Sequence, residues 1–449
     1  MMREYKRYEE YKDSGIEWVS DIPKHWKTSK IKRLFHTKKE KYYSENPTVL
    51  SLTLNGLKVR DITNNEGQLA SSYQGYHKVE PGDIVFNPMD LISGYVDCSK
   101  FNGVISPAYT ILEKDLNANI DEKYFNKYFQ YHYFNKIFFA FGSGVSFEHR
   151  WTLTDKNLKQ IDIINPPKQE QQKIASFLDQ KTAEIDKIIN KKETLIDHLE
   201  KFKKSVITEA VTKGKLGDNY IDKNGKLVDK IDYKDSGVDW IGKIPKKWRL
   251  SKVKYEYNFF TGFTPSSRDD TYYNINGYDW LNISDIKNKY IYEAESKISD
   301  KAIREYRPKI SKKNSLVFSF KLSIGKRAIL KRNIYTNEAL ATFEKNDNND
   351  IKYLYYIAPI FIPKNAKENI YGAKILNQRL INDAYLLKPS KKEQEKIASF
   401  LDRKTNKINY LVQKAKESIK KYKEYKKSLI FEAVTGKIDV REYDGKEVV

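Results

Sequence analysis

The sequence predicts an α+β chain built as an internal repeat, in which each of two mixed α/β domains is followed by one long helix of coiled-coil pattern. Three observations carry this. A decapeptide is written twice, Glu170-Gln-Gln-Lys-Ile-Ala-Ser-Phe-Leu-Asp179 and Glu393-Gln-Glu-Lys-Ile-Ala-Ser-Phe-Leu-Asp402, with the copies 223 residues apart (393 − 170). An aromatic opening is also written twice, Tyr11-Lys-Asp-Ser-Gly-Ile-Glu-Trp18 with Ile22-Pro23 and Trp26, then Tyr233-Lys-Asp-Ser-Gly-Val-Asp-Trp240 with Ile244-Pro245 and Trp248, 222 residues apart (233 − 11). Beyond each decapeptide, apolar residues recur at heptad spacing without a Pro or Gly before Gly214 or Gly436, so nothing in either run stops a helix.

In chain order, residues 1–167 form the first domain with its opening segment at 11–35, and 168–215 the first helix. Residues 216–232 are a polar, Gly-containing linker, 233–389 the second domain, 390–436 the second helix, and 437–449 a tail. Within the first domain, Leu50, Leu52 and Leu54 alternate as a strand, and Val79 to Val85 reads as a turn entering another. Tyr124 to Phe141 is an aromatic helix closed by Gly142-Ser-Gly144. The second domain answers with strands at Trp280–Ile283 and Leu316–Phe320 and a helix at Tyr353–Phe361, with Gly372 following. The heptad reading places Ile174, Leu178, Lys181, Ile185, Ile188, Lys192, Leu195, Leu199, Phe202 and Val206 on the first seam. It places Ile397, Leu401, Lys404, Ile408, Leu411, Ala415, Ser418, Tyr422, Tyr425 and Leu429 on the second. Lys181 and Lys404 are then matched polar breaks in the seam. Each helix makes a rod of roughly 60 Å at 1.5 Å per residue.

The 82 Lys and Arg against 60 Asp and Glu leave a net charge of +22 over 449 residues, which points to a polyanionic partner. Nucleic acid is the first such partner, an acidic lipid surface the second, and an AT-rich coding bias toward Lys, Asn, Ile and Tyr also contributes. No apolar run reaches membrane-spanning length and no apolar leader opens the chain, so a cytoplasmic location and no membrane partner are expected. The single Cys98 excludes an internal disulfide and a cysteine-based zinc site.

Catalytic signatures are missing or defective. Asn165-Pro166-Pro167-Lys168 imitates the adenine-methyltransferase tetrapeptide, but a lysine stands where an aromatic ring must stack on a flipped base. Only 21 residues (165 − 144) separate it from the Gly142-Ser-Gly144 loop, too few for a cofactor-binding fold, so the stretch reads as a linker before a helix. There is no phosphate-binding loop, and His25, His36, His77, His132, His149 and His198 form no metal or catalytic set. Lysines 201, 203, 204, 420, 421, 423, 426 and 427 on the rods read as solvated faces.

The loop after the aromatic helix, with Ser143, Ser146, Glu148, His149 and Arg150, is a candidate reader of DNA bases. So is its counterpart Lys374, Asn377, Gln378 and Arg379, because Arg, Gln and Asn match guanine and adenine edges. Thr261-Gly-Phe-Thr264-Pro265 and the basic run Lys321 to Arg327, with Lys326, are candidate phosphate contacts. Catalytic and metal residues are expected to be absent.

Taken together, the duplicated helices, the duplicated openings and Thr261-Gly-Phe-Thr-Pro265 resemble the specificity subunits of type I restriction–modification systems, over essentially the whole chain. The resemblance implies two target-recognition domains, each reading one half of a split, non-palindromic site in double-stranded DNA. It implies that the two conserved helices pair antiparallel, as spacer and as dock for two modification subunits. Those partners bind S-adenosylmethionine and methylate adenine, and separate restriction subunits carry the ATP- and Mg-dependent motor and nuclease. This chain itself then needs no cofactor. Family members often show two small residues before Thr-Pro where this chain has Gly262 and Phe263, and the first domain shows no clear Thr-Pro loop. A tandem DNA-binding regulator and a coiled-coil interaction protein outside any restriction system are the alternatives.

Overall fold

The computed structural model describes residues 5–43, 46–62, 70, 72–144, 151–368, 372 and 374–443. The chain divides into two compact units, Met1–Glu193 with Lys416–Val449, and Thr194–Ala415, so the division falls within both long helices.

In the first unit a four-stranded antiparallel sheet runs in the order Phe35–Lys38, Thr110–Lys114, Ile84–Phe86, Val96–Cys98. The turn between His77–Val79 and Ile84–Phe86 needs Gly82 at φ +98°, a conformation closed to most side chains. Against the sheet lies the aromatic helix Glu122–Phe134, whose first turn is capped by the Asp121 carboxylate accepting from the Tyr124 N–H. Phe35 meets Phe125 edge-on at 5.3 Å, and a short 3-10 turn, Phe138–Phe141, completes the aromatic stretch. Leu50–Thr53 is the expected strand, but Leu54 falls in the turn after it and is exposed.

The second unit repeats the plan. Its sheet runs Phe259–Thr261, Leu340–Phe343, Leu316–Ser319, Arg327–Leu330, Tyr290–Ile291, with only the last pairing parallel. The helix Ile351–Phe361 packs into the same core as Phe318, Phe343 and Trp248, and Asp350 caps it as Asp121 caps its counterpart. Tyr273–Leu281 is a strand, and Ile283 begins the short turn that follows it. The linker is ordered as a three-stranded meander, Lys215–Leu216, Asn219–Ile221 and Leu227–Val228.

The repeated Glu-Gln of the decapeptide ties each helix start to its domain. Glu170 accepts from Trp26 Nε1 and the Tyr8 hydroxyl, both at 3.0 Å, and Glu393 accepts from Trp248 Nε1 at 2.8 Å. Gln171 accepts from the Asp121 N–H and donates to the Pro166 carbonyl. Gln394 accepts from the Asp350 N–H and donates to the Pro389 carbonyl. Asn165 of the methyltransferase-like tetrapeptide accepts from Gln171, so it serves the linker. The opening tryptophans are anchors as well. Trp18 donates to Nε2 of the buried His132, whose Nδ1 donates to the Tyr128 carbonyl, and the equivalent Trp240 lies edge-on to Phe361.

The long helices span Lys168–Lys213 and Lys391–Val434, and Gly214 and Gly436 follow them at φ +65° and +73°. In the first unit Asp186 pairs with Lys426 at 2.7 Å, and the Lys192 ammonium lies 5.9 Å from the Tyr422 ring centre. In the second, Lys203 donates to Asn409, and Ala210 and Val211 share a core with Ile397 and Leu401. Rising numbers on one helix meet falling numbers on the other, so the segments pair antiparallel within each unit.

The seam differs from the expected one in half its positions. The buried line runs Ala175, Leu178, Thr182, Ile185, Ile189 on the first helix, and Ala398, Leu401, Thr405, Ile408, Val412, Ala415, Ile419 on the second. Leu195, Phe202 and Leu411 are exposed, and Lys181 turns aside to Glu184. The polar breaks are therefore Thr182 and Thr405, whose hydroxyls donate to the Leu178 and Leu401 carbonyls of their own helices. The physical reason lies in the first turns, where Ile174, Ala175, Phe177 and Leu178 are all buried. A helix covered on more than one stripe does not reveal which apolar residue starts the seam.

Candidate nucleic-acid interface

The end of strand Phe259–Thr261 and the turn joining Leu316–Ser319 to Arg327–Leu330 lie at one end of the second unit's sheet, on either side of Leu340–Phe343. Thr261, Lys321 and Lys326 lie at this end by topology. Gln378 joins them through a 3.0 Å hydrogen bond from its Nε2 to the Thr261 hydroxyl. Lys321 and Lys326 are exposed, whereas Arg327, the last residue of the basic run, turns inward. Its guanidinium sits 4.4 Å from the Tyr355 ring centre and donates to the Tyr355 carbonyl, so it supports the domain.

Gln378 opens the helix Gln378–Asp383, and Asn377 caps it by accepting from the Leu380 N–H. One face of the Asn377 amide is thereby committed to the helix, while Gln378 and Arg379 are exposed on its first turn. Lys374 lies on the strand Lys374–Ile375, paired with Lys367–Glu368, and is exposed. Thr264 is exposed on the loop past Thr261, whose path requires Gly262, since a Cβ there would sit 1.8 Å from the Thr336 carbonyl oxygen.

In the first unit, Ser143 and Thr152 form an isolated antiparallel bridge through hydrogen bonds of 2.8 and 3.0 Å. Trp151 stacks on Phe139 and donates to its carbonyl, which ties this bridge to the turn Phe138–Phe141. Ser146, Glu148, His149 and Arg150 lie outside the described residues. The first domain's sequence shows no clear Thr-Pro counterpart of the Thr261–Pro265 loop, yet the sheet places an equivalent loop at Lys39–Tyr43, directly after strand Phe35–Lys38. Counting back the repeat offset of 222 from Thr261 reaches Lys39 (261 − 222), so the signal was present without any shared residue type. Lys39, Lys41 and Tyr43 are exposed. Beneath them Lys38 is buried, opposing Asp83 at 3.1 Å and bonded to Glu80. Burial works against its charge, but the two carboxylates hold its ammonium above the ordinary lysine range.

Among the described residues no cluster of His, Cys, Asp and Glu can hold a metal ion. No helix among them is long and apolar enough to cross a membrane.

The sequence profile of the type I restriction modification DNA specificity domain matches this chain twice, over residues 23–198 and 245–421. The type I restriction enzyme MjaIX specificity subunit of Methanocaldococcus jannaschii is 30% identical over 167 residues, covering 36% of this chain and 38% of that protein. The EcoBI specificity subunit of Escherichia coli is 24% identical over 355 residues, covering 76% and 71%. A solved structure described for complex assembly and conformational transition of the type I R-M system superposes with a TM-score of 0.69 at 12% identity, over 92% of this chain and 98% of that one. The HsdS subunit from Thermoanaerobacter tengcongensis gives a TM-score of 0.54 at 12% identity over the same shares, and both show the shared fold. With two profile matches over most of its length, on two units of one topology, the chain belongs to the type I restriction modification DNA specificity family.

Proposed function

We propose that this chain is the DNA-specificity subunit of a type I restriction–modification enzyme and that its two domains read the two halves of a split, non-palindromic site in double-stranded DNA. The observation that carries the reading is the contrast between scaffold and sheet end. The Glu-Gln clamps, the caps and the sheet order are repeated in both units. The side chains at the equivalent sheet ends differ entirely, Lys39–Tyr43 against Thr261–Pro265. A repeated scaffold with two different reading surfaces fits two different half-sites. Antiparallel helices with exposed lysines then serve as spacer and as dock for two modification subunits and the restriction subunits. S-adenosylmethionine, ATP and Mg are used by those partners, in the cytoplasm, and this chain contributes recognition without catalysis.

The test is DNA binding by the full chain across a salt series. Phosphate-driven binding weakens steeply with salt, by roughly 10³- to 10⁵-fold between 50 and 200 mM for a protein making 6–10 phosphate contacts. Binding that is absent, or indifferent to salt, contradicts the reading.

A further inference from the structure

The loop that follows Thr261 is exposed at Thr264, Ser266, Ser267 and Arg268, and water alone would satisfy its backbone. Instead three aromatic side chains hold it. Trp280, itself buried, donates from Nε1 to the Phe263 carbonyl at 3.0 Å. The Tyr273 hydroxyl donates to the Pro265 carbonyl at 3.0 Å, and the Ser266 N–H donates to the Tyr306 hydroxyl at 3.2 Å. The Phe263 ring packs 5.5 Å from Tyr306, and Pro265 is buried. The Ser266 hydroxyl then accepts from the Arg268 N–H. The equivalent loop of the first unit is fixed by another means, backbone bonds from the Tyr42 N–H to Tyr76 and from the Lys78 N–H to Glu40. Both units thus tie to their frame a loop whose Thr264, Ser266, Ser267 and Arg268 side chains, in the second unit, face outward.

We infer that Trp280, Tyr273 and Tyr306 are positioning residues for sequence reading by the second domain, clamping the loop so that Thr264 and Arg268 present one fixed set of donors to DNA. This rests on the DNA-reading role proposed above. Ordering a loop before binding removes an entropic cost from recognition, and a site on a rigid support discriminates more sharply than one on a mobile loop. Arg268 is the side chain that can make a paired contact with a guanine edge, and Thr264 can meet either a base or a phosphate. Neither is needed to hold the fold.

Selection from a random-sequence DNA duplex pool with the full-length chain tests this. The wild type is compared with a Trp280→Phe, Tyr273→Phe, Tyr306→Phe triple variant, which keeps an aromatic ring at each position and removes the donors and acceptor, and with Arg268→Ala. In both variants one half of the selected sequence is expected to lose definition while the other stays sharp. Affinity for the wild-type sequence is expected to fall about tenfold, the scale of lost preorganisation. A destabilised domain without a clamp role would weaken binding without redistributing preference among bases. Should the triple variant fail to fold, Tyr306→Phe alone, on a partly exposed ring, and Arg268→Ala decide between the outcomes. Unchanged definition of both halves in these variants overturns the clamp while leaving the DNA-reading role standing. A wild-type pool with no enriched sequence overturns the DNA-reading role and the clamp with it.

Discussion

Glu170 and Glu393 show at the single-residue scale why one decapeptide had to be written twice. Each is a nearly buried carboxylate whose acceptors are filled by the opening segment's tryptophan, so helix and opening hold each other in place. Removing either leaves a buried indole N–H without a partner. Glu393→Ala is expected to cost about 2–4 kcal/mol, the range for losing a charged acceptor and stranding its donors, read as a shift in denaturant midpoint. His132 gives a sharper signature. Burial pushes its imidazole down to about 3, and its two ring nitrogens are used as one donor and one acceptor, so it is held neutral. Below the unfolded value near 6.5 the unfolded chain takes up a proton that the folded unit refuses. The stabilisation is therefore complete above that pH and is lost as pH falls toward the folded value. Between pH 7.5 and 5.5, hydrogen-exchange protection is expected to fall in the first unit only, because Phe361 stands at the matching position in the second. His132→Phe is expected to reduce that dependence, leaving the share of His77, whose imidazole is also held down by burial and by Lys41 and Lys39, and an undiminished pH response in the variant contradicts the assignment.

At the scale of elements, the helices keep a strict alternation of three and four residues along their buried line, but every other position lies one residue past the apparent apolar series. Adjacent residues separate the two phases. Val412→Ala is expected to cost on the order of 2 kcal/mol, as a buried deletion does, and Leu411→Ala under about 0.5, as an exposed change does. Equal losses in thermal stability would return the seam to its other phase. Inserting one heptad into both helices preserves the alternation and lengthens each by about 10 Å. The expected result is a longer unspecified spacer, by about three base pairs at roughly 3.4 Å each, with both half-sites unchanged in a methylation map. An active variant with the original spacer would mean that the helices do not set that distance.

Much of this was legible in the sequence because it is repeated there. The openings, the helix starts, the glycine stops and the aromatic helices all fall where the two copies agree. The seam phase was hidden because the first turns are buried on several sides, and an apolar residue facing the domain looks like one facing the partner helix. The candidate interface was half legible. Thr261, Lys321, Lys326 and Gln378 lie at one sheet end, a placement that follows from strand order rather than spacing. The Lys39–Tyr43 loop carries no shared residue with its counterpart, and Arg327 looked like its basic neighbours until the Tyr355 ring claimed it.

At the scale of the whole molecule, a net charge of +22 supplies attraction to any polyanion, but it cannot by itself select a sequence. Selection has to come from the two surfaces that differ while their supports agree. If these surfaces act separately, a domain exchange moves one and spares the other. Residues Trp248 to Pro389 are replaced by the corresponding region of a relative with a different specificity, the exchanged chain is expressed with its modification partners, and methylated adenines are mapped across the host genome. One half of the methylated sequence is expected to change to the donor's while the other half stays as it was. A map with the original sequence in both halves, or with both halves changed, would contradict it.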